Sequence, residues 1–315
     1  MLGWFKPITA PPPFEERAPH ERDFAAHFAR AIVPRLRRLE LLRRAVVVVF
    51  WIILLTGLAL TAAVVVLAFT EDTRYAKGAT LLFGVTVGLA LVPIAFFTGR
   101  EERAILPALC DHLGDLTVWV KPTGNPAVVA PFRALGLVPP LGQQRLGLRK
   151  PSERVKIDDV FNGEHRDIGL WMAELEDRQK NAGRETTVFR GTLIAFGLPG
   201  IGNDEEAWRV RAPDPADPTK LEIELTGTTR ALATPALLDA LGILGRVFAP
   251  GSFVGSFHGR VLRLALALKG RSRPFGVGNP FAPVYRCEPA VRATLAQLAA
   301  VRAVMAALAD AAGRP

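Results

Sequence analysis

Residues Ala45–Thr70 (AVVVVFWIILLTGLALTAAVVVLAFT) run for 26 positions without a charged side chain. As an α-helix at 1.5 Å per residue this stretch reaches about 39 Å, enough to cross a hydrocarbon core of about 30 Å with some tilt. Sixteen of its residues are Val, Ile, Leu or Phe. At roughly −0.3 to −0.6 kcal/mol each, their insertion into lipid gains at most about 5–10 kcal/mol. β-branched residues weaken a helix in water, but in hydrocarbon the backbone has no other partner and helix is enforced. A second uncharged run, Ala79–Thr98 (ATLLFGVTVGLALVPIAFFT), is 20 residues long and matches the same thickness. The linker Glu71–Gly78 (EDTRYAKG) has room only for antiparallel neighbours. The expectation is a membrane α-helical hairpin over 45–98, with transmembrane helices at 45–70 and 79–98. A cleaved signal peptide does not fit. The first run begins after 44 residues, is too long, and is followed by another.

Charge sets the orientation. The chain carries a net +9. Residues 1–44 hold nine basic and five acidic residues, and Arg30, Arg35, Arg37, Arg38, Arg43 and Arg44 stand just before the first run. The linker carries Arg74 and Lys77; Arg100 and Arg103 follow the second run. The positive-inside rule then places both termini in the cytoplasm. Arg35, Arg37, Arg38, Arg43 and Arg44 are expected to contact anionic lipid headgroups. Gly84 and Gly88, four residues apart, give the second helix a small face for close helix packing. Pro93 is expected to kink it near its end.

Around the hairpin the chain divides further. Residues 1–20 form a proline-rich tail, read as extended or disordered. Residues 21–44 read as a basic amphipathic juxtamembrane helix. Its stripe is Phe24, Phe28, Ile32, Leu36, Leu39 and Leu42, interrupted at Pro34. Residues 99–151 read as a helix over Glu101–Leu116 and then an irregular Gly/Pro-rich connection. Residues 152–315 read as a soluble α+β domain with an antiparallel or mixed sheet. Its first hairpin is expected to turn at Asn162-Gly163. Strands follow at Thr186–Leu198, Ala207–Arg211 and Leu221–Leu225, with PDPADP between the last two. Thr234-Pro235 opens a helix as N-cap and first-turn proline, with Leu237, Leu238, Leu241, Leu244 and Phe248 as its stripe. Ser252–Phe257 and Arg260–Leu268 pair across His258-Gly259. A final helix over Pro289–Ala312 carries Val291, Leu295, Leu298, Val301, Met305 and Leu308.

The chemical motifs are sparse. The glycine cluster Gly197–Asn203 lacks the lysine and following helix of a phosphate loop. Five histidines show no metalloprotease or zinc-finger spacing. Cys110, Asp111, His112 and Asp115 lie close together, but only His112 and Asp115 share a helix face, which reads as an ordinary polar face. Cys110 and Cys287 are too few for a disulfide framework. Asp158-Asp159 are strand neighbours and are expected to point to opposite faces. Basic clusters at Arg145, Arg149, Lys150, Arg154, Lys156 and at Arg260, Arg263, Lys269, Arg271, Arg273 lack the stacking aromatics or recognition helix of a nucleic-acid binder. No cofactor, metal or catalytic residue is expected. An alternative polar site would combine Asp159, Arg190 and His258.

Several segments in order resemble the bacterial two-span membrane protein family catalogued as domain of unknown function 3137. They are IVPRLRRLELLRR before the first run, the close pair of spans, DDVFNGEHRDIGLWMAELE (Asp158–Glu176), TTVFRGTLIAFGLP, TPALLDAL and SFHGRVLRLAL. The resemblance implies a bacterial inner-membrane protein with a cytoplasmic α+β domain, and it brings no activity or catalytic residues. The function expected from all this is non-enzymatic: a membrane-tethered binding or scaffold domain with an anionic bilayer and a protein partner at the inner leaflet. The alternatives are a membrane-bound enzyme or a subunit of a transport or assembly complex.

Overall fold

The computed structural model describes residues 13–70, 74–97, 100–120, 153–181, 184–198, 209–211, 222–224, 232–258, 260–268 and 283–313. The chain forms two compact units. Residues 1–12, most of the connection before residue 152, PDPADP, Gly259, and Lys269, Arg271 and Arg273, for which the sequence raises expectations, lie outside the described residues.

The first unit comprises Met1–Arg17, Arg22–Ile105 and Val277–Pro289. It opens with a short helix α1 (Phe24–His27) and a π-helical turn (Phe28–Ile32). A long helix α2 (Val33–Thr70) follows directly. Pro34 explains the π turn. It lacks an N–H and its ring crowds the carbonyl four residues back. The chain widens just before it, and the Val33 N–H reaches the Phe28 carbonyl. Phe14 packs edge-on against Phe24, with ring centroids 4.8 Å apart, and against Phe28 at 5.2 Å.

Helix α3 (Arg74–Phe97) runs through Pro93, and α4 (Arg100–Leu113) follows it. The helix begins inside the stretch read as a linker. Nothing in RYAKG breaks a helix except Gly78, so α3 extends one turn below its apolar run. Gly84 and Gly88 are exposed, and a Cβ built on either meets nothing within 4 Å. The close approach of α2 to α3 falls at Gly57, where a Cβ would lie 2.1 Å from Thr86 Cγ2. Ala79, Thr86, Ala90 and Phe97 form the buried stripe of α3. The face of α3 that meets α2 is therefore the Thr86 face, and Gly84 and Gly88 lie on another. The Thr61 hydroxyl donates to the Gly57 carbonyl at 2.7 Å, which satisfies it within its own helix.

Among the described residues, three helices are long and apolar enough to cross a membrane. The apolar windows of the two N-terminal ones are 6% and 18% buried, whereas the third, at the C-terminus, is 61% buried. Its expected stripe, Val291 to Leu308, is wholly buried, so it is a core helix.

The second unit comprises Ala18–Glu21, Leu106–Gly276 and Ala290–Pro315. Its strands are β1 (Leu116–Val120), β2 (Glu153–His165), β3 (Ile168–Asn181), β4 (Arg184–Gly197), β5 (Arg209–Arg211), β6 (Glu222–Glu224), β7 (Ser252–His258) and β8 (Val261–Ala267). They make one sheet in the order β1-β2-β3-β4-β8-β7-β5-β6, and every pairing is antiparallel. Helix α5 (Pro235–Phe248) comes before β7, and α6 (Glu288–Ala311) ends the chain. Thr234 caps α5 as expected: its hydroxyl accepts the Leu237 N–H at 3.2 Å.

Cross-strand register sorts the sheet's two faces. One carries Leu170, Met172, Ile194, Phe196, Leu262 and Leu264 in matched rows, all buried. The other carries Ala173, Leu193 and Ala265 in a row, beside Ile157 and Leu175. A stretch read as helix to Leu116 proves to stop at Leu113. Gly114, at φ 81°, ends α4 with its N–H on the Cys110 carbonyl, and β1 begins two residues later.

Asn162-Gly163 is not the turn. Both residues lie inside β2, and the chain reverses at Arg166-Asp167, at φ 50° and 63°. His165 pairs with Ile168 across that two-residue loop. The glycine serves close approach instead: a Cβ on Gly163 would lie 2.1 Å from the Asp115 carbonyl oxygen. Asp158-Asp159 also departs from simple alternation. Ile157 pairs with Leu175 and Val160 with Ala173, so a β-bulge holds the two aspartates. Both are buried as a result.

Candidate functional site

The most heavily charged buried place in the first unit lies where α2 leaves its basic stretch. Glu40 is fully buried. Arg43 grips it with two hydrogen bonds, Nε to Oε2 at 2.8 Å and Nη2 to Oε1 at 2.7 Å. Arg44 Nε donates to Oε1 at 3.0 Å, and the Val284 backbone N–H donates to Oε2 at 3.1 Å. Burial pushes the Glu40 carboxyl up. The bonds from Arg43, Val284 and Arg44 and the Arg43 charge outweigh it, and the carboxyl ends below its ordinary range. Removing one partner of a buried ion pair costs about 3–5 kcal/mol, because the other charge stays buried. This grip ties α2 to the turn at Val284–Cys287 across 244 positions of sequence.

Two of the five arginines expected at lipid headgroups are engaged by this carboxylate. Arg43 is buried, and Arg44 is half-buried on Glu40. The glutamate within RRLELLRR captures the cations that follow it by a turn. Arg35, Arg37 and Arg38 are exposed, and Arg35 Nη1 also donates to the Ala104 carbonyl at 2.9 Å.

Glu101 and Glu102 belong to the same unit and open α4. They are only 3% and 5% exposed. Glu101 Oε1 has no hydrogen-bond partner among the described residues. Its carboxyl is pushed up to about 7, first by burial and then by the Glu102 charge; Arg43 works against this and Glu40 adds to it. Nearby Cys287 is buried, and burial together with the charge of Glu101 pushes its thiol up to about 12. Cys110 is likewise pushed up to about 12 by burial and by Asp111. A thiolate is the reactive form, so both cysteines are inert where they sit.

In the second unit the polar site considered from sequence does not assemble. Asp159 lies on the β2 bulge, paired with Val120. Arg190 lies on β4 opposite Glu176. His258 ends β7 opposite Val261, which pairs in turn with Gly197. Arg190 is seven residues from Gly197 along one strand, about 23 Å at 3.3 Å per residue. The side chain of His258 lies outside the description. Arg190 instead stands beside Glu176. The Glu176 carboxyl is held below its ordinary range, first by the Arg178 hydrogen bond, with Thr187 and the charges of Arg178 and Arg190 helping against burial.

A second polar junction was missed by sequence reading. Asp115 Oδ2 forms an ion pair with Arg302 Nε at 2.8 Å and lies 2.9 Å from His165 Nδ1. It joins the α4–β1 corner, the end of β2 and α6. Arg166 Nη1 bonds Asp310 at 2.7 Å, and Arg292 bonds Glu21. Asp115 was grouped with His112 on a helix face. The Gly114 cap takes it off the helix and turns it to residues 50 and 187 positions away. Among the described residues no cluster of His, Cys, Asp and Glu is arranged to hold a metal ion.

No family model matches the chain, and no curated protein or solved structure matches it.

Proposed function

We propose that the protein is a two-span membrane anchor carrying an α+β domain that binds a protein partner at the cytoplasmic face of a bacterial inner membrane. One observation carries the membrane part. The apolar side chains of α2 and α3 face outward, with Leu55 at 60% and Leu81 at 71% exposure. An apolar surface of this length has no stable home in water. The basic residues before the first span support the orientation, since cations remain on the cytoplasmic side. Exposed Arg37 and Arg38 add about 1 kcal/mol each toward an anionic leaflet. The bacterial setting rests on the resemblance to the family of unknown function 3137.

The binding part draws its support from Trp119. It stands on β1, the terminal strand of the sheet order, and its indole is 58% exposed. Large aromatic side chains on an edge strand suit strand-addition or hot-spot contacts. A photo-crosslinking residue placed at 119 in native membranes should give a discrete protein adduct, and one at exposed Asp239 should not. Equal labelling from both positions, or lipid adducts alone, contradicts the reading. Protease added outside spheroplasts should leave the C-terminal region intact.

A further inference from the structure

We propose that Glu101 is a proton-binding switch: its carboxyl takes up a proton to seat the start of α4 against α2 and the Val284–Cys287 turn, and loses it when that seat opens. The inference needs the geometry of the first unit alone and goes beyond the membrane-anchor reading.

The electrostatic inventory is lopsided. From α2, Glu40, Arg43 and Arg44 face this place; from α4 come Glu101 and Glu102, with Arg100 half-buried and Arg103 exposed on the same helix; from the turn and the start of α6 come Cys287 and Glu288, with Arg286 exposed. Arg43 gives two hydrogen bonds to Glu40 and Arg44 gives one. Neither reaches Glu101 Oε1, which is buried and without a hydrogen-bond partner among the described residues. An ionised carboxylate there would be desolvated and would face Glu102. A proton removes both penalties at once, since a neutral carboxyl is cheaper to bury than an anion.

The sign of the pH dependence follows. In the folded chain burial and the Glu102 charge push the Glu101 carboxyl up to about 7, from an ordinary 4.5. The folded state therefore binds more protons than the unfolded state between these values. The stabilisation from the seated, protonated form is complete below about 4.5, declines through the interval, and is gone above about 7. Above neutrality the anion favours release of the first turn of α4.

Cys287 sits beside Glu101 and can report the opening. The test uses the full chain in detergent micelles, with Cys110→Ala so that Cys287 is the sole thiol. Maleimide labelling is followed against pH in this background and with Glu101→Gln added. The glutamine copies the protonated carboxyl in shape and charge. The ratio of the two labelling rates should be near one at about pH 6 and should rise several-fold by about pH 8. Infrared spectra should show a protonated-carboxyl band lost with a midpoint near neutrality and missing in Glu101→Gln. Glu102→Gln should shift that midpoint down, since it removes the repulsion, and should leave the band in place. The proposal is overturned if the two labelling curves superimpose, if the band titrates at the ordinary carboxylate value, or if Glu102→Gln removes it and Glu101→Gln does not.

Discussion

Leu55 on α2 and Leu81 on α3 are 60% and 71% exposed, whereas Leu193 on β4 and Leu264 on β8 are fully buried. The residue type is the same, and so is its preference for an apolar surrounding, about 1.5–3 kcal/mol per side chain. The sheet domain meets that preference inside itself. Its matched rows of leucine, phenylalanine and methionine close over one another. Among its described residues the hairpin meets it for few side chains, along a seam where Gly57 admits Thr86. Its remaining apolar surface must be met from outside the chain. The uncharged runs set the hairpin apart in sequence, and the outward direction of its leucines shows where their preference is met.

The two regions should therefore fail in different assays. Phe196→Ala empties a fully buried site in β4 and should cost about 3–5 kcal/mol. Chemical denaturation of the solubilised chain measures this, and membrane insertion should not change. Leu55→Arg puts a cation within the first span and should cost about 2.5–3.5 kcal/mol of insertion. A translocon insertion assay reads it, while the unfolding of the sheet domain stays the same. Gly57→Ala should loosen the hairpin by about 1–3 kcal/mol, because the added methyl overlaps Thr86. Gly84→Ala should leave hairpin packing as it was. Proximity crosslinking between the spans compares the two, and equal effects would remove Gly57 from its role. The smallest expected effect is that of Thr234→Ala, about 1 kcal/mol on the sheet domain through loss of the α5 cap. Thermal unfolding checks it.

Where short-range chemistry decides, the sequence was readable. The apolar runs, the Thr234-Pro235 helix start, the β7–β8 hairpin and the α6 stripe depend on neighbours within a few residues. The α+β class, with a sheet read as antiparallel or mixed, followed from these, and the sheet is antiparallel throughout its described strands. What was hidden depends on partners far along the chain. Gly163 resembles a turn residue, but the Asp115 carbonyl pressing on it explains its identity. Arg43 and Arg44 resemble lipid anchors until Glu40 and Val284 are seen to enclose them. The true turn at Arg166-Asp167 carries no glycine, so nothing marked it. Glu101 entered the sequence reading only as the start of a helix. Only burial beside Glu102 shows that its charge is costly.

Two buried glutamates in the first unit make a smaller contrast of the same kind. Glu40 has four donors and stays ionised below its ordinary range. Glu101 has a bare buried oxygen and is pushed up to about 7. Burial acts on both; the donors decide the outcome.

The most direct measurement is the partition of the full-length chain after cell lysis, followed by an alkaline carbonate wash of the membranes. With Ala45–Thr70 and Ala79–Thr98 embedded in lipid, the chain stays in the washed membranes and needs detergent for release. Recovery of intact chain in the supernatant without detergent would contradict it.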